Sequence, residues 1–434
     1  MKRFLMSIVC LILSLSLLPL AVACNSQSQE KPTDAKPQDN TEKKPQASED
    51  STQKPTEAPT EEPSDEPTEK PTEAPTEEPS DEPTEKPTEE PSDKPTEKPT
   101  DAPQRPVVSA AYSLVDDNEL FKTYGRVQLA SEGLVCDFTA SGIEFSGYMK
   151  GTVEVEIECD ADTYFTVYID GERIEERLFA DKDTQYLTIA DLGDEPAEHT
   201  IRFLKQTEPQ WSLMMIKNVI LTGYIENTPE DRDFYIEFIG DSLTTGYGNL
   251  GNSKSEDPGT AIWQDGTQSY AFIASEALNA DYTIAACSGI GIDKGWTSFS
   301  MCDFYPCGSY YRSKTKDHFD ARVPDLIVIN LGTNDNDRGS KKDAFCQGVI
   351  DLILDLRESY NTDVPVIWAY HFGGDAREEW AFEAIESLGG ESYGIYTLKL
   401  EDNRSGANGH PNLEGHYTAA EILTKFIEDN YLLG

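Results

Sequence analysis

The sequence predicts an α/β domain of three layers around a parallel sheet, preceded by a β-sandwich of jelly-roll type and a disordered linker. Three observations carry this. A proline-rich repeat fills the first quarter of the chain. Apolar and charged residues then alternate with a period near two up to about Ile225. After Pro229 strand-like runs alternate with helical spacings, as in a parallel sheet flanked by helices.

Taken in order, residues 1–23 read as a secretion signal. Lys2 and Arg3 precede the apolar run Phe4–Leu20, and Ala21-Val22-Ala23 leads to Cys24. Small residues before a cysteine are similar to the bacterial lipobox, which implies lipidation of Cys24. Cleavage after Ala23 and plain secretion is the alternative. A multi-chain lipid anchor holds firmly, because each buried CH₂ adds about 0.8 kcal/mol.

Residues 24–105 are low in complexity. The sixteen residues KPTEAPTEEPSDEPTE from Lys54 recur unchanged from Lys70. With almost no apolar side chains, no core can offset the entropy of ordering this stretch. Spaced prolines and acidic excess favour extension at about 3.1 Å per residue, a reach of up to roughly 250 Å. It reads as a spacer between the membrane and the folded part.

Residues 106–228 form the expected sandwich. Ile143-Glu144-Phe145, Val153–Ile157, Phe165–Ile169, Tyr186–Ile189, His199–Phe203 and Val219–Leu221 read as short strands separated by turn signals such as Asp170-Gly171. No helix of convincing length is expected there.

Residues 229–434 form the expected α/β domain. Tyr235–Ile239, Asp281–Ala286, Asp325–Leu331 and Val364–Tyr370 read as strands. The run Asp-Leu-Ile-Val-Ile-Asn-Leu suits a parallel strand buried on both faces. Helices are expected over Ser269–Leu278, around Phe345–Leu356, around Trp380–Leu388 and from about Asn412.

The net charge of -44, from 36 basic and 80 acidic residues, argues against nucleic acid as a partner. It suits a soluble extracellular protein with neutral partners such as polysaccharide. Cys136, Cys159, Cys287, Cys302, Cys307 and Cys346 remain in the exported part, where oxidation is available. Close spacing in loop-like sequence makes Cys302–Cys307 the most plausible bridge, though spacing alone does not choose the pairing. No metal-ligand spacing is present, and no cofactor is expected.

The chain is organised around Tyr235–Asn249. An apolar strand stops at Gly240, and Ser242 follows in Gly240-Asp241-Ser242-Leu243. The strand ends of an α/β sheet are where such sheets place ligands. Three further segments sit just beyond strands or in loops: Ser288-Gly289-Ile290-Gly291, Gly332-Thr333-Asn334-Asp335 and Gly409-His410-Pro411-Asn412. In a parallel sheet these loops share one rim. Acyl transfer needs a nucleophile, a base and oxyanion donors. Ser242 supplies the hydroxyl, and His410 the neutral imidazole. The oxyanion donors are the N–H groups of Ser242 and Gly289 with the Asn334 amide.

These ordered blocks resemble the SGNH hydrolase superfamily, also called GDSL esterases, over about Arg232–Gly434. Gly142–Phe145, Asp170-Gly171-Glu172, His199–Arg202 and Lys205-Gln206-Thr207-Glu208 are similar to carbohydrate esterase family 2, which joins a jelly roll to an SGNH domain. The resemblance implies removal of acetyl groups from plant polysaccharides such as xylan or glucomannan, often at a primary hydroxyl. Acetylated polysaccharide is then the partner, with the membrane met only through the N-terminal lipid. The alternatives are a non-catalytic carbohydrate-binding lipoprotein, or an SGNH esterase acting on other acyl esters. Oligomeric state is not set by the sequence.

One position departs from the superfamily pattern. Three residues before His410, where an aspartate is usual, stands Ala407. Some family members work with a Ser–His dyad, which implies a backbone carbonyl, here that of Ala407, as the orienting group. A carboxylate from Asp335 or Asp402 is the alternative, and loss of activity a third reading. Asp241 is expected to fix the turn. Trp296, His371 and Asp335 are candidate substrate contacts. Tyr305, Tyr310, Tyr311 and Trp380 are further stacking candidates, while His416 is expected at the surface or in packing, His199 belongs to the β-domain and His318 precedes a polar loop.

Overall fold

The strand Gly142–Cys159 runs through the middle of an antiparallel sheet of eleven strands. The structure, a computed structural model, describes residues 105–256, 260–310, 322–374, 377–430 and 432. The signal segment, Cys24, nearly all of the repeat linker, Tyr311 and His318 lie outside them.

The sequence suggested two short strands here, Ile143–Phe145 and Val153–Ile157. They are one strand of 18 residues. Along one edge it pairs first with Ala197–Lys205 and then with Tyr186–Asp191. Along the other it follows Met214–Asn227, with three register shifts that let both strands bend. The glycines that resemble turn signals serve this close crossing. A Cβ on Gly147 would lie 2.1 Å from the Tyr224 carbonyl oxygen. The inward face buries Phe145, Val153, Val155, Phe165, Val167, Ile201, Phe203, Val219 and Leu221. The sole helical piece among the described residues of this region is a 3-10 turn at Asn118–Leu120.

The second sheet is parallel throughout. Its order is Ala280–Ala286, Phe234–Gly240, Leu326–Asn330, Val366–Tyr370, Ile395–Lys399. The edge strand Ile395–Lys399 was not expected; it is short and half-buried, so it lacks the apolar run that marks its neighbours. Helices Tyr270–Ala277 and Leu413–Asp429 cover one face, packing Tyr270, Phe272, Leu423 and Ile427 on Ile236, Phe238 and Ile284. Helices Lys342–Tyr360 and Glu378–Leu388 cover the other, packing Phe345, Val349, Leu352 and Ile385 on Ile239, Ile327 and Ile329. The strand order reverses between Phe234–Gly240 and Leu326–Asn330. That switch point is where open α/β sheets bind ligands.

The two sheets belong to one compact unit. Arg126 from the β region pairs with Glu237 of the central strand at 2.9 Å, both fully buried. The hydroxyls of Tyr305 and Tyr360 complete the Glu237 carboxylate at 2.8 and 2.9 Å. Arg202 grips Glu276 in a bidentate pair at 3.0 and 2.7 Å. The expected Cys302–Cys307 bridge is absent. Cys302 carries a free thiol. Its Sγ donates to the Gly348 carbonyl, whereas that of Cys307 folds back on the Asp303 carbonyl. Cys302 lies within the short helix Met301–Phe304 and Cys307 just beyond it, and the two thiols face different acceptors.

Candidate active site

Gly240 ends the first parallel strand because the chain turns too sharply for a side chain. A Cβ there would lie 1.9 Å from Thr244 Oγ1. Asp241 then caps the helical turn Ser242–Thr245, its Oδ1 accepting the Leu243 N–H at 3.0 Å. Ser242 opens this turn, so its own N–H has no partner one turn earlier. Asp241 is fully buried, and burial pushes its carboxyl up to about 7, opposed by the Leu243 N–H and reinforced by the charges of Asp335 and Glu208.

His410 closes the 3-10 turn Ala407–Gly409, just ahead of the last helix. Its Nε2 lies 2.9 Å from Ser242 Oγ. The turn is tied to the serine segment, since the Ala407 N–H donates to the Gly248 carbonyl at 3.0 Å. Tyr247 stands edge-on to the imidazole at 4.6 Å between centroids, and Trp211 stacks on Tyr247 at 6.2 Å. Desolvation pushes the His410 pKa down to about 4, while the carbonyls of Ala407 and Asn408 oppose it. Nδ1 makes no hydrogen bond of regular geometry among the described residues. These two carbonyls are therefore the groups on this loop that favour the imidazolium.

Neither carboxylate alternative reaches the ring. Asp335 is fully buried and accepts the N–H groups of Ile292, Asp293 and Lys294 at 2.8, 2.8 and 2.9 Å, and the Ser340 hydroxyl at 2.8 Å. It ties down the loop after Gly289 and does not line the cleft, so the expectation of a substrate contact there is corrected. Asp402 accepts from Arg404 Nε at 2.9 Å. Position 407 is tightly packed. Ala407 is fully buried, and a Cβ on Gly251 would come within 2.6 Å of its methyl.

Gly289 adopts φ +79°, open to glycine without strain. Its N–H meets no acceptor in the described protein. Asn334 is the second residue of the helix Thr333–Arg338 that follows Leu326–Asn330, and its Nδ2 donates to Asp241 Oδ2 at 3.0 Å and to the Ile290 carbonyl at 2.8 Å. Both amide hydrogens are thus already directed at protein acceptors. Donation to an oxyanion requires one of them to be shared.

Ser242, Gly289, Asn334 and His410 together line a cleft of about 670 Å³. Trp296, 65% exposed, forms one wall, with the Arg338 guanidinium 4.4 Å from its ring centre. His371 does not line the cleft; its Nδ1 lies 3.6 Å from Glu378 Oε1. Tyr305 is buried, and Trp380 packs on Phe345. His416 is buried and accepts the Tyr270 N–H at 3.0 Å, tying two helices together. His199 pairs with Asp170 at 2.8 Å, within the β region. Sequence reasoning missed Gln210, Trp211 and Arg404, which also line the cleft. Gln210 and Trp211 follow directly on the Lys205–Glu208 segment, which was the available signal.

The GDSL-like Lipase/Acylhydrolase family matches residues 238–417, and the Carbohydrate esterase 2 N-terminal family residues 123–229. The PT disordered repeat matches residues 46–81 and 70–105. The chain is 27% identical over 331 residues to the cellulase/esterase CelE of Acetivibrio thermocellus, covering 72% of this chain and 40% of that protein. It is 33% identical over 260 residues to an acetylxylan esterase / glucomannan deacetylase of Cellvibrio japonicus, covering 54% of this chain and 70% of that one. A solved family two carbohydrate esterase from Clostridium thermocellum, in complex with cellohexaose, is 26% identical with a TM-score of 0.65, over 72% of this chain and 99% of that one. An acetyl xylan esterase from Butyrivibrio proteoclasticus, 20% identical with a TM-score of 0.64, shares the fold over 75% of this chain and 99% of its own. With a GDSL-type sheet behind a matching N-terminal sandwich, the chain belongs to carbohydrate esterase family 2.

Proposed function

We propose that this protein is an extracellular carbohydrate O-acetylesterase working by a Ser242–His410 dyad. The observation that carries this is the 2.9 Å contact between His410 Nε2 and Ser242 Oγ at the switch point of the sheet. Ser242 Oγ attacks the acetyl carbonyl while His410 takes its proton. The N–H groups of Ser242 and Gly289, and one shared hydrogen of Asn334, receive the oxyanion. His410 returns the proton to the departing sugar oxygen. Water, activated by the same imidazole, then releases acetate and restores the serine.

The substrate class in this reading is an acetylated plant polysaccharide such as xylan or glucomannan. Supporting it are the names of the relatives and an open cleft walled by Trp211 and Trp296, indole faces suited to sugar rings. The protein would reach such a polymer from the cell surface, anchored through a lipid on Cys24 and held out on the repeat linker. Labelled fatty acid should enter the wild type and not Cys24→Ala.

The experiment for activity is acetate release from a panel of acetylated polysaccharides. Ser242→Ala should lose nearly all turnover. Unchanged turnover in that variant ends the proposal, and glycan binding without acetate release in the wild type favours a carbohydrate-binding role.

A further inference from the structure

Glu208 stands outside the cleft, yet its carboxylate faces the loop that carries Gly289. It follows the strand Ala197–Lys205 and so comes from the β region, not from the parallel sheet. Glu208 is fully buried. Oε2 accepts the backbone N–H of Ser288 at 2.7 Å. Oε1 accepts the Ser288 hydroxyl at 2.6 Å and the indole N–H of Trp211 at 3.0 Å. A buried carboxylate is costly unless its lone pairs are used, and here donors face both oxygens.

The segment around Glu208 is itself braced. Lys205, also fully buried, donates from Nζ to the carbonyls of Asp137 and Thr207, each at 2.8 Å. Gln206 Nε2 donates to Thr166 Oγ1 at 2.6 Å and to Asp265 Oδ2 at 3.1 Å. The Glu208 N–H donates to Gln264 Oε1 at 3.2 Å. Two residues on, Gln210 Nε2 donates to the Ser288 carbonyl. That carbonyl shares a planar peptide unit with the N–H of Gly289, and in a trans peptide the two point in opposite directions. Glu208 and Gln210 therefore fix the Ser288 residue from both of its backbone polar groups. The direction of the Gly289 N–H follows from that grip. Gly289, at φ +79°, has no side chain to hold itself in place.

We propose that Glu208 is a positioning residue for the oxyanion hole, supplied by the β region to aim the Gly289 N–H at the reacting carbonyl. The inference rests on the reading of Ser242 as nucleophile. It also assigns the sandwich a part in catalysis, distinct from any part in holding polysaccharide. The mechanism uses Glu208 for no proton transfer. Its contribution is geometric, and a misplacement of about 1 Å at such a donor costs roughly 10² in rate.

The test is the reaction of the full chain with diethyl p-nitrophenyl phosphate, followed by intact mass. Ser242 Oγ attacks phosphorus, p-nitrophenolate leaves, and the phosphoryl oxygen occupies the oxyanion hole. The final extent of labelling counts competent molecules, while the rate reports the hole. Glu208→Ala should label to the wild-type extent at a rate lower by about 10- to 100-fold. Glu208→Gln keeps the volume and one acceptor oxygen, guards against misfolding of the alanine variant, and should fall between. Its kcat on p-nitrophenyl acetate should drop in proportion, with KM within twofold. Labelling of Glu208→Gln at the wild-type rate overturns the proposal. Reduced extent at the wild-type rate overturns it too, because that is the signature of a purely structural residue. A wild type that labels at Ser242 but releases no acetate from any acetylated glycan removes the substrate reading and leaves the positioning role intact. A wild type that does not label at all removes both.

Discussion

Asn334→Ala is the most informative single substitution at the oxyanion site. Removing an oxyanion donor typically costs about 10²–10³ in kcat, or roughly 2.7–4 kcal/mol. The structure places this case at the lower end. Both Nδ2 hydrogens of Asn334 are engaged, one with Asp241 Oδ2 and one with the Ile290 carbonyl. Donation to the oxyanion must draw on one of these bonds, so the net gain is smaller than for an idle donor. We expect kcat to fall by about 10², with KM changed little, since the donor acts on charge that develops in the transition state. The same truncation leaves two buried acceptors short of a donor, at about 1–3 kcal/mol each. The melting temperature should therefore fall as well. Initial rates on p-nitrophenyl acetate, measured well below the transition and normalised to folded protein, separate the two effects. A kcat within threefold of wild type, with the stability loss present, would refute the oxyanion role and leave Asn334 as a brace for Asp241.

Four further outcomes follow from the same geometry. Activity should persist on the acid side, because in the proposed mechanism the neutral imidazole is the base and burial pushes His410 down to about 4; an acid limb of kcat/KM near 6.5 would show the ring to be solvated. Stability should fall in the same range, since His410 and His416 (about 3) stay neutral in the fold while the unfolded chain takes up protons below about 6.5, at roughly 1.4 kcal/mol per pH unit for each group until its folded pKa is reached. Ala407→Asp should not build a triad: the position is fully buried against Gly248 and Gly251, so the carboxylate disturbs the histidine turn, and higher activity in that variant would refute the account. Arg126→Ala should lower the denaturant midpoint by the equivalent of about 3 kcal/mol, because Glu237 keeps its tyrosine donors but loses its cation; a shift under a few tenths would show that the buried ion pair adds no net stability.

The parallel sheet and the places of its chemical groups were legible because each rests on local signals. Apolar runs mark strands buried on both faces, and a glycine with a short polar residue marks the turn at each carboxyl end. Ser242, Gly289 and Asn334 sit at such turns, and His410 in a glycine-containing turn before the last helix. What was not legible lacks a local signature. The strand Ile395–Lys399 is at the sheet edge and half-exposed, so its pattern is diluted. Gly147 lets the 18-residue strand approach its partner closely, a requirement set by a strand distant in sequence. Asp335 looked available for a ligand because its motif is rich in polar residues. Its four donors come from Ile292, Asp293, Lys294 and Ser340, and the first three precede it by more than forty residues.

At position 407 packing takes over part of the role of the missing acid. A carboxylate behind a catalytic histidine holds the ring and stabilises its cation. Here the ring is held by other means. Tyr247 stands against one side, the turn Ala407–Gly409 carries the backbone, and the Ala407 N–H is anchored on the Gly248 carbonyl. Gly248, at φ +74°, allows that approach, since a Cβ there would meet the Ala407 carbonyl oxygen at 2.7 Å. Position is thus supplied by packing, and only the charge term is reduced to backbone dipoles. In the proposed dyad the imidazolium formed during attack is stabilised less than by a full carboxylate, in line with the desolvation that pushes His410 down. A dyad of this kind suits an activated leaving group or an easily cleaved acetate better than an amide. The ratio of esterase to amidase turnover on matched acetyl substrates should accordingly be large, and a ratio near unity would require a carboxylate partner for His410 that the described residues do not provide.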